Sequence, residues 1–239
     1  MRHRIFLGGL LVLAAALAAP ALATAAPAPL FAPNHKITQS TSSNWSGYAA
    51  TGGGYRTVSA NWTQPTATCG ATATYSSFWV GLDGDGSGTV EQTGTSADCS
   101  GGVAKYYAWY EMYPKFPTNL SLAIRPGDQM SGSVTTSGNG SFTLTIRNNT
   151  TGQSFTTNQH SKRASLFSAE VIAEAPSSSG GVLPLTNFGT ANFSASTVNG
   201  SAIGAFNPDR IDMVSGGVTK ASTGSLSGGT SFSVTWKHS

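Results

Sequence analysis

The residues Phe142-Thr143-Leu144-Thr145-Ile146 alternate strictly between apolar and polar side chains. Because successive side chains of a β-strand point to opposite faces, this alternation predicts a strand with one buried and one solvated face. Similar runs recur along the chain, and clusters rich in Gly, Ser and Asn separate them. The other runs lie at residues 130–134, 188–193, 211–214 and 232–236.

No segment after Thr41 has a helical pattern of useful length. Many short strands separated by turn clusters predict an all-β fold, and about 200 residues suit one such domain. We therefore expect a single antiparallel β-sandwich of two long sheets, of the concanavalin or jelly-roll type, over residues 41–239.

The N-terminal residues read as a targeting segment. Arg2, His3 and Arg4 precede an apolar run, and small residues follow it, so residues 1–25 are predicted to be a secretory signal peptide. Residues 26–40 are rich in Pro and Ala and predict a short pro-segment or flexible arm. No later stretch is apolar for long enough to span a bilayer. We expect a secreted protein with no membrane contact after the signal is removed.

The charge pattern gives no indication of a nucleic-acid partner. Loss of Arg2 and Arg4 with the signal lowers the net charge from +3 to about +1. The remaining Lys and Arg residues are scattered, with Lys162-Arg163 as the only basic pair. A monomer that binds no nucleic acid is expected.

Cys69 and Cys99 are the only cysteines. In an oxidising compartment two such thiols usually form one disulfide, which here would close a loop of about 30 residues and stabilise the fold by about 2–4 kcal/mol. A nucleophilic cysteine is disfavoured, because no histidine stands nearby in the sequence.

Histidines are scarce outside the signal. His35 lies in the predicted arm and His238 is the penultimate residue, which leaves His160, expected in a surface loop. The chain has no Gly-x-Ser-x-Gly or His-Glu-x-x-His motif, so neither a Ser/His/Asp triad nor a catalytic zinc is expected. The acidic run that begins at Asp83 resembles a calcium loop, but Gly94 stands where the bidentate Glu belongs. We expect no metal and no cofactor, and any catalysis must use carboxylates, amides and hydroxyls.

Two carboxylates stand four residues apart in the apolar, β-prone run Ser168-Ala169-Glu170-Val171-Ile172-Ala173-Glu174. The chain has only 10 Asp and Glu residues in total. In a strand Glu170 and Glu174 share one face. Burying a carboxylate is costly unless the group is paired or protonated, so this face is predicted to line a cleft.

An aromatic run at residues 106–114 also contains one acid. Trp109, Glu111 and Tyr113 would share one face of a strand. This pattern fits a substrate groove, in which rings supply apolar area and a carboxylate supplies polarity. It also fits a strand of the core with a charge at its edge.

Six short motifs occur in the order seen in the glutamic peptidases, the eqolisin or scytalidoglutamic peptidase family, and the chain resembles that family over residues 43–236. The motifs are Asn44-Trp45-Ser46-Gly47, Trp79-Val80-Gly81-Leu82-Asp83-Gly84, Gln92-Thr93-Gly94, Ala108-Trp109-Tyr110-Glu111-Met112-Tyr113-Pro114, Asn149-Thr150-Thr151-Gly152-Gln153 and Ala169-Glu170-Val171-Ile172-Ala173-Glu174.

The resemblance implies a β-sandwich and a secreted acid endopeptidase that acts on proteins or peptides without a metal ion and is insensitive to pepstatin. It assigns a catalytic dyad to Gln92, which stabilises the oxyanion, and Glu174, which acts as general base and acid. It also places further residues in the cleft or in support of the dyad, and Glu170 is expected to be a supporting acid. These further residues are Trp45, Asp83, Trp109 and Glu111.

Two alternatives remain open from the residues alone. A β-sandwich glycosidase needs two carboxyl groups roughly 5–9.5 Å apart. Residues four apart on one strand are about 13 Å apart, so Glu170 and Glu174 fit poorly, although a pair that includes Glu111 would be possible. A carbohydrate-binding, lectin-like module is the other alternative, with aromatic side chains such as Trp45 and Trp109 as its platform.

Overall fold

The computed structural model describes residues 39–239. The predicted signal peptide and most of the predicted arm lie outside the described residues, and the last two residues of that arm, 39 and 40, belong to the first strand. The described chain contains eighteen strands and one short 3₁₀ helix. The strands are β1 (Gln39–Ser42), β2 (Trp45–Thr51), β3 (Thr57–Thr63), β4 (Ser77–Leu82), β5 (Val90–Ser100), β6 (Val103–Tyr113), β7 (Thr118–Leu120), β8 (Gln129–Thr136), β9 (Ser141–Asn148), β10 (Ser154–His160), β11 (Ser168–Glu174), β12 (Ser177–Ser178), β13 (Gly181–Val182), β14 (Thr190–Val198), β15 (Ser201–Ala202), β16 (Asp209–Ser215), β17 (Val218–Thr223) and β18 (Phe232–Trp236), and the 3₁₀ helix spans Ile203–Phe206.

The strands form one long, folded path in the order β10-β9-β8-β3-β14-β18-β17-β16-β2-β11-β4-β5-β6-β7. The pairs along this path are antiparallel, and β1 adds to β16 in parallel. The path folds back on itself into two layers, so that β3 and β8 contact β4 while β9 contacts β5. The all-β, antiparallel sandwich predicted from the sequence is confirmed.

The main core lies between the two layers. Phe142, Leu144 and Ile146 are buried while Thr143 and Thr145 are only partly so, which confirms the alternation read in the sequence. From the opposite layer, β4 contributes its even-numbered side chains, such as Val80 and Leu82. The 3₁₀ helix is the only helix among residues 39–239, and no helix there is long and apolar enough to cross a membrane.

A second, smaller apolar cluster covers the other face of the β2-β11-β4-β5-β6 segment. Strands β4 and β11 are therefore buried on both faces. The buried members of this second cluster are Ala49, Trp79, Val90, Trp109, Ile172 and Ile211, with Trp45 and Tyr107 packed against them.

Two sequence expectations concern single residues of the fold. The disulfide between Cys69 and Cys99 is confirmed; its Cα atoms are 5.4 Å apart, and it ties the loop after β3 to β5. His160 is exposed, as expected, but it ends strand β10 instead of lying in a loop.

Candidate active site

The register of four adjacent strands brings together acids and amides that are far apart in sequence. Glu170 of β11 lies opposite Gly81 of β4, Gly81 lies opposite Gln92 of β5, and Gln92 lies opposite Glu111 of β6. Glu174 stands four residues further along β11, opposite Trp45 of β2. We call the surface that carries the second apolar cluster the cleft face; its polar and aromatic residues include Trp45, Trp79, Gln92, Trp109, Glu111, Tyr113, Glu170 and Glu174.

Glu174 is partly exposed, and both of its carboxyl oxygens are held by hydrogen-bond donors. Trp79 Nε1 donates to Oε2 at 2.7 Å, and Asn44 Nδ2 donates to Oε1 at 3.0 Å. The ring of Trp45 packs edge-on against that of Trp79, with centroids 5.1 Å apart. The orientation of the Glu174 carboxyl is therefore fixed by three side chains from β2, β4 and the residue before β2.

Opposing effects set the proton affinity of Glu174. Burial raises its pKa to about 7, and the negative charge of Glu111 also raises it. Hydrogen bonds from Trp79, Trp45 and Asn44 lower the pKa, because they stabilise the ionised form. The result is a carboxyl group that exchanges its proton near neutrality.

Gln92 is almost fully buried, at 5% exposure. Its Nε2 donates to Glu111 Oε2 at 2.6 Å, and its Oε1 accepts no hydrogen bond from residues 39–239. An amide nitrogen carries two N–H groups, and only one of those of Gln92 has an acceptor among residues 39–239. Burial raises the pKa of Glu111 to about 7, and the hydrogen bond from Gln92 lowers it.

Small and aromatic residues shape the space around this amide. A Cβ atom at Gly81 would lie 3.1 Å from Gln92 Cβ and 2.9 Å from the Trp79 ring, so a side chain there would crowd both. Trp109 is largely buried and forms a rigid wall, because its Nε1 donates to Ser96 Oγ at 3.0 Å and its carbonyl accepts from Thr93.

Glu170 and Asp83 have different surroundings. Glu170 is fully buried; the Asp85 amide donates to it at 3.4 Å, and burial holds its pKa well above the ordinary range. Asp83 lies outside the cleft face, where its carboxylate accepts hydrogen bonds from the amides of Ser165, Leu166 and Phe167 at 2.8–3.0 Å. Asp83 thus fixes the chain where it enters β11, the strand that carries Glu170 and Glu174.

Sequence reasoning missed Asn44 and Trp79 as the partners of Glu174. Both stood within the quoted motifs, but nothing in the sequence places β4 between β11 and β5. It also missed Glu91, which is fully buried on the opposite face of β5 from Gln92 and has a pKa raised to about 7 by burial. Alternation along β5 alone would have separated Glu91 from the cleft face.

The fold and the sequence motifs are those of the glutamic peptidase family. The chain belongs to the Peptidase A4 family, whose profile matches residues 43–236.

Among characterised proteins, the chain is similar to aspergillopepsin-2 of Aspergillus niger, with 33% identity over 156 residues. The match covers 62% of this chain and about half, 55%, of that protein's length. This likeness and the family profile confirm the family resemblance read from the sequence.

Among solved structures, the chain resembles scytalido-glutamic peptidase bound to a transition state analogue inhibitor, with 28% identity and a TM-score of 0.72, covering 83% of this chain and 100% of that one. It also resembles SCP-B, an eqolisin in complex with the tripeptide Ala-Ile-His, with 27% identity, a TM-score of 0.69 and the same coverage. For aspergilloglutamic peptidase from Aspergillus niger, the identity is 31% and the TM-score 0.63, over 69% of this chain and 99% of that one.

Proposed function

We propose that this protein is a secreted endopeptidase that hydrolyses peptide bonds with Gln92 and Glu174. One observation carries the proposal: Glu174 is partly exposed on the cleft face while Trp79 and Asn44 hold both of its oxygens. Family membership and the peptide-like ligands in related structures support a peptide substrate. The signal pattern at residues 1–25 and the disulfide support export.

In the proposed reaction, ionised Glu174 takes a proton from a water molecule as that water attacks the peptide carbonyl carbon. The carbonyl π electrons move to oxygen, and the second N–H of Gln92 donates to this oxyanion. When the carbon–nitrogen bond breaks, Glu174 returns its proton to the leaving nitrogen. The carboxylate is then restored, and the products are a carboxylic acid and an amine.

Each supporting residue has a defined part in this proposal. Glu111 orients the Gln92 amide through the 2.6 Å hydrogen bond, so that Gln92 Oε1 can accept from the attacking water. Trp45 and Trp109 supply apolar walls for an extended peptide. Asp83 and Glu170 act further away, by fixing β11 and its surroundings.

Digestion of a denatured protein by the secreted chain tests the proposal. We expect activity in acid, resistance to pepstatin and to chelators, and loss of about 10²-fold or more in Glu174→Gln and in Gln92→Ala. Circular dichroism should show that both variants stay folded. Gln153→Ala, at an exposed glutamine between β9 and β10, is the matched control and should keep full activity.

Full activity in either dyad variant would overturn the assignment of Gln92 and Glu174. Glycan hydrolysis without proteolysis would instead favour a β-sandwich glycosidase. Binding of a glycan with neither activity would favour a lectin-like module.

A further inference from the structure

A cavity of about 190 Å³ lies where the end of β6, the start of β5 and the residues after β10 meet. Four basic side chains line it, and we call it the basic pocket. They are Lys115, His160, Lys162 and Arg163. All four residues are exposed. The only Lys-Arg pair outside the signal segment therefore faces the same cavity as a third basic residue and a histidine.

Little negative charge lies near the basic residues of this pocket. Among residues 39–239, no Asp or Glu lines the basic pocket. Glu91 is buried behind Ser161 and Thr89, and because burial raises its pKa to about 7 it is neutral in acid. Asp83 lies near Glu91 and does not line the pocket; its carboxylate accepts hydrogen bonds from three backbone amides.

The basic pocket lies at the rim of the sandwich where β6 ends, with Met112 of its lining on the main-core side of that strand. Tyr113 and Pro114 form part of its wall, and Tyr113 shares a face of β6 with Glu111. Two residues along a strand span about 7 Å. An extended peptide advances roughly 3.3–3.6 Å per residue, so a substrate residue two to four positions from the scissile bond would reach the pocket.

We propose that the basic pocket is a substrate subsite for an anionic side chain, either a carboxylate or a phosphate ester, two to four residues from the scissile bond. This inference rests on the proposed peptidase function. Arg163 can bind either anion through two parallel hydrogen bonds, while Lys115 and Lys162 act as point charges. The pocket thereby adds charge selectivity to a cleft face whose other walls are aromatic.

Peptides that differ at one position test this inference. A neutral parent peptide is compared with versions that carry phosphoserine, Glu or Gln at each position two to four residues from the scissile bond, on both sides. At pH 5 we expect both anionic residues, at one such position, to raise kcat/KM by roughly three- to ten-fold through a lower KM, because partly exposed ion pairs are individually weak. At pH 3 only phosphoserine should keep its advantage, since Glu is then protonated.

The double variant Lys162→Ala/Arg163→Ala should lose this advantage and cleave the neutral parent as the wild type does. Arg147→Ala is the matched control, because Arg147 is exposed on β9 and pairs with Ser154, at the other end of the β9–β10 hairpin from His160. Cleavage of the parent with no gain at any position would overturn the subsite and leave the proposed function intact.

If no peptide is cleaved, the proposed function is wrong, and the subsite is tested by measuring peptide binding. Fluorescence anisotropy with the same labelled peptides measures affinity without hydrolysis. Tighter binding of the phosphoserine peptide to the wild type than to the double variant would support the subsite. Equal affinity for the anionic and neutral peptides would overturn it.

Discussion

Burial and hydrogen bonding have opposite effects on the protonation of Glu174. Burial favours the protonated form, and the hydrogen bonds from Trp79, Trp45 and Asn44 favour the ionised form. With a pKa of about 7, the ionised base is a minor species in the acid range in which the proposed peptidase is expected to act. The rate of the proposed reaction should therefore climb as the pH rises from acid towards 7, until another group or the fold limits it.

Replacing Trp79 by Phe tests this balance, because it removes the N–H donor and keeps an aromatic ring. A hydrogen bond to a charged group contributes about 1.5–3 kcal/mol, which is roughly 1–2 pKa units. Without it the ionised form is less stable, so the pKa of Glu174 rises. The acid limb of the pH profile of kcat/KM should move to higher pH by that amount.

The matched control is Trp236→Phe, because Trp236 Nε1 is buried and has no hydrogen-bond partner among residues 39–239. Its pH profile should match that of the wild type. An acid limb that stays in place in Trp79→Phe would show that Glu174 is not the group that limits the rate in acid.

The sequence could single out Gln92 and Glu174 because their motifs resemble a family, and the alternation in each strand predicted which residues share their faces. The sequence could not identify the hydrogen-bond partners of these two residues. The Trp79–Glu174 hydrogen bond depends on β4 lying next to β11, although 95 residues separate the two side chains. Such pairing is a property of the whole sheet, so no local pattern contains it.

At the scale of elements, close packing between β4 and β5 controls the position of Trp79. Gly94 of β5 lies opposite Trp79 in register. A Cβ atom at Gly94 would lie 2.4 Å from the Phe78 carbonyl oxygen and 2.6 Å from Trp79 Cβ, which is closer than such atoms approach. The two strands can pair with this spacing only because residue 94 has no side chain.

Gly94→Ala should therefore push β4 away from β5. We expect a loss of about 1–3 kcal/mol in the free energy of unfolding, which is typical of overpacking, together with reduced peptidase activity as Trp79 shifts. Chemical denaturation and the protease assay measure the two effects. Gly88→Ala is the control, because a Cβ there meets nothing within 4 Å, and it should change neither quantity.

Alternation predicted several strands closely, and β18 matches its predicted range of 232–236. It predicted others less well, since β14 begins at Thr190 and not at Phe188. Strands buried on both faces, such as β4 and β11, carry no alternation to read. They are the strands that carry Trp79 and Glu174, so the centre of the site was the least predictable part of the fold.

At the scale of the whole molecule, most of the acids have raised pKa values, chiefly because they are buried. They include residues of the cleft face and residues of the interior. The set is Asp85, Glu91, Asp98, Glu111, Glu170 and Glu174. A carboxyl whose pKa is higher in the folded state binds its proton more tightly there than in the unfolded chain. Between the two pKa values the folded state therefore holds more protons, and the free energy of unfolding falls as the pH rises.

At Glu91 the effect of a raised pKa on stability can be measured separately from catalysis, because Glu91 faces the interior and not the cleft face. Its pKa is about 7 in the folded protein, against about 4.3 in an unfolded chain. Its contribution to stability is complete below about pH 4 and is lost as the pH rises to about 7, at up to about 1.4 kcal/mol per pH unit.

In Glu91→Gln the side chain keeps nearly the shape of the protonated acid but never ionises. Denaturant unfolding at pH 4 and at pH 8 should therefore show a variant about as stable as the wild type in acid and clearly more stable at pH 8. Equal pH slopes for the two proteins would mean that folding does not raise the pKa of Glu91. A variant destabilised equally at both pH values would mean that the carboxyl group contributes through its shape and contacts and not through its proton.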